Sequence, residues 1–268
     1  MNRSAATGPD RAAAFWAAFL RNRNVDAGSA GDGAIPVAGG YAIYVTATRF
    51  DFAMGAGSTR ALRDDDLAVV EEFYAARARP ARFELDEAVL ARDRALLRDR
   101  GYAEEDCVLA VLERPVGAAA LGDAISVRTT TNRRAWTELA VRAFHEQAAD
   151  VADVAVLRKT LQTAAAAAHV LVVATVDGDE AGMAALGISG DTALLCSAAV
   201  LPAFRRRGVH QALLAARLAI AHERGATGAV LKTVADSAVE RSAAKLGFAR
   251  TGLHRRVRRD APQPAHEQ

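Results

Sequence analysis

The sequence predicts an α/β (α+β) protein in which helices and strands alternate along the chain. Its 268 residues favour two domains or one large one, and apolar residues make up 51% of them, enough to bury a sizeable core. Segments with helical apolar spacing alternate with short apolar runs of strand length. Hairpin-turn signals at 177–179 and 189–191 separate three such runs in the second half and indicate successive strands there.

The first half contains helices and strands separated by glycine-containing segments. Asp64, Asp65 and Asp66 precede apolar residues at helical spacing, and we interpret them as the charged start of a helix rather than as a metal site. Gly101 ends a second helix. The predicted elements are a helix over 10–20, a loop over 24–33, a strand over 41–45, a segment with two glycines over 50–59, a helix from 64, a strand over 82–85, a helix over 86–100 and a strand over 107–112.

The second half begins after residues 114–123, where Pro115, Gly117 and Gly122 are typical of a linker. Apolar residues from Trp136 to Phe144 recur at the spacing of an amphipathic helix, which we predict over 133–147. The other predicted elements are strands over 125–128, 170–176, 181–188, 192–200, 229–234 and from 248, and helices over 153–168, 208–224 and 237–245.

Charge, cysteines and hydropathy exclude several classes of protein. The formal net charge of +2 is too small for a protein that coats nucleic acid. Cys107 and Cys196 lie in apolar runs without metal-ligand spacing, so we expect neither a metal site nor a disulfide. Residues 1–10 lack the apolar core of a signal peptide, and no run of about 18 uncharged apolar residues occurs. We expect a cytoplasmic protein without a membrane partner.

One segment has the pattern of a phosphate-binding site. A strand ends at Val200, Pro202 stops its hydrogen-bond ladder, and three successive arginines lead to Gly208 and a helix. The start of a helix presents unpaired backbone N–H groups and a partial positive charge, and a glycine there lets a phosphate approach the backbone. The sequence therefore predicts a pyrophosphate site at this helix start.

The same segment resembles the acyl-CoA signature of the GNAT (Gcn5-related N-acetyltransferase) family. It reads Val200-Leu201-Pro202, then Arg205-Arg206-Arg207-Gly208-Val209-His210, and Lys245-Leu246-Gly247-Phe248 resembles the end of the family's last helix. The resemblance covers about 125–259. It implies a mixed, mainly antiparallel sheet flanked by helices, with acetyl-CoA or another acyl-CoA as co-substrate and no metal. It also implies a small-molecule amine acceptor that attacks the thioester directly.

The resemblance assigns roles to residues of the segment. The backbone at Ala198 and Val200 would bind the pantetheine arm, and the Val200 amide would polarise the thioester carbonyl. His210 replaces a small residue, and we expect its side chain to point away from the phosphates. Asp236 stands where the family usually has asparagine. The implied cofactor-binding residues are Ala198, Val200, Arg205, Arg206, Arg207, Gly208, Val209, His210, Gln211 and Asp236.

Candidates for proton transfer are weaker. Strict alternation puts Leu194, Cys196, Ala198 and Val200 on one face, so Cys196 takes the position of the family's usual base. A thiol has a reference pKa of about 8.5, and a small apolar filler is the interpretation we favour for it. His145 and Glu146 end the first helix and could act through water, although a solvated surface pair explains them as well, and His254 is no stronger. Ala243 replaces the tyrosine that often serves as general acid.

The two halves resemble a diverged repeat, because Arg100-Gly101-Tyr102 and Leu246-Gly247-Phe248 each follow a helix and precede a strand. Residues 1–113 lack the arginine–glycine pattern. We therefore predict a degenerate GNAT-like domain over 1–113, a linker over 114–123, an acyl-CoA-binding GNAT domain over 124–259 and a frayed tail over 260–268. This pairing predicts a monomer whose domains pair like the subunits of dimeric relatives, with one CoA site.

Two other functions remain open. The missing base and tyrosine also fit a catalytically silent CoA-binding sensor or regulatory module. The arginines after 249 permit a nucleic-acid-binding role, which we do not favour because no aromatic platform accompanies them. The leading hypothesis is an acetyl-CoA-dependent N-acetyltransferase.

Overall fold

The structure, a computed structural model, describes Phe15 and residues 31–117, 125–145 and 150–260. Apart from Phe15, the helix expected over 10–20 lies outside these residues, as do Glu146, residues 118–123 of the expected linker and the tail from 261. The described residues form two compact units, one from 31–46, 50–108 and 253–260, the other from 47–49 and 109–252. The mixed α/β architecture confirms the predicted fold class.

The first unit is built on a mixed sheet. Strands β1, β2 and β3 are antiparallel neighbours, β3 runs parallel to β4, and residues 254–259 of the last strand pair antiparallel with β4. Two of these strands, β1 and β3, are short and were not predicted as strands. The elements are β1 (Gly33–Val37), β2 (Gly40–Tyr44), β3 (Asp51–Met54), α1 (Asp64–Ala75), β4 (Ala81–Asp86), α2 (Glu87–Asp99) and the first part of β5 (Ala103–Pro115).

The core of the first unit explains these elements. Phe83 and Leu85 of β4 are fully buried, as are Leu67 and Val70, which lie one turn apart on α1. The hydroxyl of Tyr74 donates to the Ile43 carbonyl at 2.9 Å and accepts from the Ile43 amide at 3.2 Å, which ties α1 to β2. Strand β5, which runs from Ala103 to Pro115, is longer than the strand predicted over 107–112.

The second unit holds a sheet with the strand order β5–β10–β9–β8–β7–β6. The β9–β10 pair is parallel and the other pairs are antiparallel. The elements are β6 (Ser126–Thr130), α3 (Arg133–Phe144), α4 (Val151–Ala167), β7 (Val170–Val176), β8 (Asp179–Ser189), β9 (Thr192–Val200), a 3-10 turn (Pro202–Phe204), α5 (Val209–Glu223), β10 (Gly228–Val234), α6 (Ala238–Ala244) and the first residues of β11 (Ala249–Arg259), whose part from 253 belongs to the first unit.

Helices cover both faces of the central strands in this unit. Trp136 and Leu139 of α3 pack with Met183 and Ala185 of β8, whose side chains point to one face. Gly182 points to the other face, where an added Cβ would lie 3.3 Å from the Leu213 side chain of α5. The helix α3 is therefore on one face of the sheet and α5 on the other. None of the described helices combines the length and apolar character that a membrane span requires.

The two units share an order of elements. Three antiparallel strands, a helix, a strand parallel to the third, a second helix and a further strand occur first from β1 to β5 and again from β7 to β11. Gly57 and Gly208 precede the first helix of each set with φ of 82° and 84°. The compact units divide the chain at Val108, and residues from 253 belong to the first unit, whereas the sequence predicted one continuous domain over 124–259.

Candidate functional site

A cavity of about 810 Å3 opens in the second unit where two parallel strands separate. Strands β9 and β10 pair only from Thr192 to Leu194 on β9 and from Gly228 to Val230 on β10. Residues 195–200 and 231–233, which follow these pairs, line the cavity. The backbone of β9 thus presents an unpaired edge, to which an extended ligand can bind as an added strand does.

A β-bulge shapes that edge. Ala185 pairs with Cys196 and Met183 pairs with Ala199, so two steps along β8 match three along β9. Ser197 has a φ of 47°, the left-handed conformation of the bulged residue. The bulge shifts the alternation of β9 by one residue, because Cys196, Ala199 and Leu201 all pack against the core beneath α3. The expectation that Cys196, Ala198 and Val200 share one face is therefore wrong.

The amide of Val200 faces the gap between the strands. The Leu201 amide donates to the Ala181 carbonyl of β8 at 2.9 Å. Successive N–H groups of a strand point to opposite edges, so the neighbouring Val200 amide points away from β8. This places its N–H at the unpaired edge, where the family resemblance implies a donor to the thioester carbonyl.

The start of α5 forms one end of the cavity. Gly208 is the N-cap with φ of 84°, and Arg206 before it has φ of 63°. The first bond of the helix runs from the Ala212 amide to the Gly208 carbonyl at 3.1 Å, so the amides of residues 209–211 have no acceptor inside the helix. Together with the positive end of the helix, these amides suit a phosphate group.

The charged side chains of the lining all have the same sign. Six cationic residues and no aspartate or glutamate line the cavity among the residues that the structure describes. Two of the chain's three lysines are among them. A low-dielectric cleft of one charge sign focuses the field on an anionic ligand. The six residues are Arg205, Arg206, Arg217, Lys232, Arg241 and Lys245.

The cavity reaches both faces of the sheet. Leu214 and Arg217 of α5 line it on one side, and Ala143 and Phe144 of α3 line it on the other. Cys196 lies between them and packs with the α3 core. The site can therefore hold two molecules that approach from opposite faces and meet at the bulge.

Most of the predicted cofactor-binding residues line the cavity. These are Ala198, Val200, Arg205, Arg206, Gly208, Val209, His210 and Gln211. Two predicted residues do not. Arg207 donates to Asp177 at 3.0 Å and lies over the Phe204 ring, and Asp236 is paired with Arg250 at 2.6 Å. These oppositely charged partners hold both side chains away from the cavity, and the spacing of residues in the sequence did not indicate them.

The candidates for proton transfer differ in their surroundings. Cys196 lines the cavity, and burial raises the pKa of its thiol, which keeps it neutral. His145 is exposed and lies outside the lining, and His254 lies in the first unit. Ala243 is fully buried, and α6 presents its neighbour Ser242 to the cavity instead.

His210 is half-buried and partnered. Its Nδ1 lies 3.3 Å from the hydroxyl of Ser242, and burial, assisted by the charge of Arg217, lowers its pKa to about 4. The imidazole is therefore neutral near pH 7. Among the described residues, no group of three or more histidine, cysteine or carboxylate side chains is placed to hold a metal ion.

The corresponding helix start in the first unit is closed by its own side chains. The Asp66 carboxylate accepts the Arg63 amide at 2.9 Å and two bonds from Arg60 at 2.6 Å. These bonds lower the pKa of Asp66, so the carboxylate is charged at neutral pH. An added Cβ on Gly57 would lie 2.6 Å from the Val89 side chain, which fills the space nearby. A carboxylate thus stands where a phosphate would bind.

The arginines after residue 249 are paired with carboxylates. Arg256 is bound to the buried Glu84 at 3.1 Å, and His254 Nδ1 lies 3.6 Å from the same side chain. The further pairs are Arg250 with Asp236 and Glu240, Arg255 with Glu87, Arg258 with Asp260, and Arg259 with Glu71. Most of the positive charge of this segment is therefore neutralised locally.

Several lining residues were not singled out from the sequence. Lys232, Arg241 and Ser242 lie on elements that only the fold brings to the cavity, and Lys245 was noted only as part of a helix-end motif, not as a lining residue. Arg217 had a detectable signal, since it is the one charged residue in the apolar run from Ala212 to Ala221.

Comparisons with known proteins agree with this geometry. Residues 133–248 match the model of the acetyltransferase (GNAT) family, and no curated protein matches the chain. A GCN5-related N-acetyltransferase from Kribbella flavida has a TM-score of 0.64 at 16% identity, covering 96% of this chain and 97% of that one. A tandem GNAT protein from the clavulanic acid biosynthesis pathway has a TM-score of 0.56 at 16% identity, covering 87% and 83%.

A third solved structure, a GCN5-related N-acetyltransferase from Sphaerobacter thermophilus, has a TM-score of 0.53 at 17% identity. The alignment covers 72% of this chain and slightly less than two thirds, 66%, of that one. At these identities the structural likeness concerns the fold alone.

Proposed function

We propose that the chain, whose residues 133–248 match the GNAT acetyltransferase model, transfers an acetyl group from acetyl-CoA to a small-molecule amine. The observation that carries this proposal is the cationic cavity between β9 and β10, into which unpaired amides of β9 and α5 point. Coenzyme A is a polyanion joined to an extended arm that carries amide groups. It needs anion donors at one end of a cleft and a strand edge at the other.

The cofactor is proposed to lie along the α5 face. The amides at the start of α5, with Arg205 and Arg206 beside them, bind the pyrophosphate. The pantetheine arm follows the unpaired edge of β9 as an added strand. The Val200 amide then lies beside the thioester carbonyl. The amine enters on the opposite face, between Phe144 and Cys196.

The proposed reaction is a direct transfer. The amine nitrogen attacks the thioester carbonyl carbon, and the electron pair of the C=O bond moves to oxygen, where the Val200 N–H stabilises it. The carbonyl re-forms as the C–S bond breaks, and CoA leaves as thiolate. The nitrogen loses one proton to solvent and the thiolate gains one, which gives an amide and free CoA.

The described lining offers no charged base for this reaction. Cys196 is neutral with a raised pKa, and His210 accepts a proton only well below neutral pH. Proximity and the polarised carbonyl are then proposed to supply most of the rate enhancement, with an acceptor that reaches the site as a free amine. An amine with a pKa of about 10 is mostly protonated at pH 7, so the rate is expected to rise with pH.

The test measures release of free CoA thiol by the purified chain with acetyl-CoA and a panel of amines and amino acids. We expect at least one acceptor to raise the rate about tenfold or more above hydrolysis without acceptor. Tight CoA binding without acceptor-dependent turnover over the whole panel would contradict the proposal. It would support a CoA-binding sensor instead, which the absence of a described base favours.

We also propose that the chain is a tandem GNAT protein with a degenerate first copy and one CoA site. The shared order of elements supports the repeat. The Asp66 carboxylate at the start of α1 supports the loss of the first site, because it would repel a phosphate. We infer a monomer, which light scattering of the purified chain would test.

A further inference from the structure

Arg217 is buried in the middle of α5, and none of the described carboxylates is paired with it. It is 1% exposed. Its Nε donates to the Leu213 carbonyl at 3.0 Å, and its Nη1 donates to the carbonyls of Ala185 at 3.1 Å and Cys196 at 3.3 Å. No ion pair to it occurs among the described residues, and burial lowers its pKa to about 10. A buried guanidinium without a counter-charge lowers stability, so its position calls for another explanation.

The contacts of Arg217 lie at the base of the bulge. Ala185 and Cys196 form the last regular pair of β8 and β9 before the register shifts. Ser197, with its φ of 47°, follows directly, and a non-glycine residue in this conformation is strained. One nitrogen of Arg217 thus binds a carbonyl from each strand next to the strained residue.

The position along α5 separates Arg217 from the phosphate site. It follows Gly208 by nine residues, which is roughly 13 Å along the helix axis. Its neighbour Leu214, one turn earlier, also lines the cavity. Arg217 therefore lies toward the end of the cavity that holds the bulge, and the start of α5 can bind phosphate without it.

We propose that Arg217 is a positioning residue that clamps β8 and β9 at the bulge and so keeps the Val200 amide at the unpaired edge. This inference rests on the proposed acyl-CoA site. The clamp acts through the two carbonyls: their bonds to one rigid guanidinium fix the distance between the strands where the ladder is interrupted. An apolar side chain of similar length would fill the same space but would leave both carbonyls without this donor.

The test compares two ligands in three variants by calorimetry. Adenosine 3′,5′-diphosphate probes the nucleotide end of the site, and CoA adds the pantetheine arm. Arg217→Met removes the donors, Arg217→Lys keeps one cationic nitrogen, and Leu218→Ala is the control, because Leu218 is fully buried on the same helix and outside the lining.

We expect Arg217→Met to bind the nucleotide within about twofold of the wild type but to bind CoA about tenfold or more weakly, because the Val200 amide is then no longer held at the strand edge that binds the pantetheine arm. Arg217→Lys should recover part of that loss, and kcat for acetyl transfer should fall in the same order. Leu218→Ala should lower Tm and change neither affinity.

Unchanged CoA affinity in folded Arg217→Met would overturn the proposal. An equal loss of both ligands would also overturn it, since that result indicates a general structural role. If Arg217→Met does not fold, Arg217→Lys carries the same comparison, with CoA weakened by about threefold or more and the nucleotide unchanged. Failure of the wild type to bind CoA at all would instead refute the proposed function.

Discussion

Tryptophan in place of Gly208 is expected to abolish CoA binding while the second unit stays folded. Gly208 caps α5 at the point where the helix amides face the cavity. An added Cβ would lie 3.6 Å from the Ile125 side chain, an ordinary contact, so the backbone has room for the substitution. The indole beyond that Cβ would occupy the space in front of the helix start.

The loss of affinity follows from the donors that become blocked. A charge-assisted hydrogen bond contributes about 1.5–3 kcal/mol. If the indole displaces a phosphate from two of the amides of residues 209–211, the loss is at least about 3 kcal/mol, which is more than about 100-fold in Kd.

The stability cost is separate and has a matched control. Gly208 has φ of 84°, and any side chain in that conformation costs about 1–2 kcal/mol. For a chain of this size the cost lowers Tm by about 2–8 °C. Gly225, at the other end of α5, has φ of 80° and nothing within 4 Å of an added Cβ. Gly225→Trp should lower Tm similarly and leave CoA binding intact.

Titration calorimetry with CoA and thermal denaturation of both variants check this reasoning. Unchanged CoA affinity in folded Gly208→Trp would refute the assignment of the phosphate site. Equal loss of CoA affinity in both variants would refute the argument that the effect is local.

Three further predictions concern the site and the first unit. Cys196→Ala should keep most of kcat in the CoA-release assay, because a neutral thiol is a poor base, and a loss above about 100-fold would give the thiol a catalytic role. The folded pKa of His210, about 4, lies below its unfolded value of 6.5, so the unfolded chain binds the extra proton and stability should fall as pH drops from 6.5 toward 4. His210→Gln should show a smaller fall in Tm over that range, and an identical profile would contradict the pKa shift. Titration of the chain with CoA should give one binding site per chain, and two sites would contradict the interpretation that the helix start of the first unit is closed. Asp66→Asn should lower Tm and leave the affinity for CoA unchanged.

Sequence patterns were sufficient to predict those elements whose structure depends mainly on residues close together in the chain. Strands β7 and β9 have the bounds that apolar runs and hairpin turns predicted, and α5 begins after Gly208 as the arginine–glycine run indicated. The free amides at that helix start are a property of any helix, so a phosphate site could be predicted there without knowledge of the sheet. The short strands β1 and β3 were missed, because Pro36 lies within β1 and Gly55 and Gly57 follow β3, and these residues are loop signals.

The features that the sequence did not predict depend on contacts between segments that are far apart in the chain. The bulge at Ser197 reverses the alternation of β9, and it depends on pairing with β8, which no period-2 pattern contains. Asp177 and Arg250 hold Arg207 and Asp236 away from the cavity through ion pairs that the chain order does not reveal. Pairing of β11 with β4 places the end of the chain in the first unit.

The sequence by itself predicted an acyl-CoA-type phosphate site, because a glycine, three arginines and a helix start lie within a few residues of one another. Only the tertiary structure decided which side chains surround the rest of the site. Lys232, Arg241 and Lys245 join Arg217 at the cavity because β9 and β10 separate there, and that separation is a property of two strands rather than of either one.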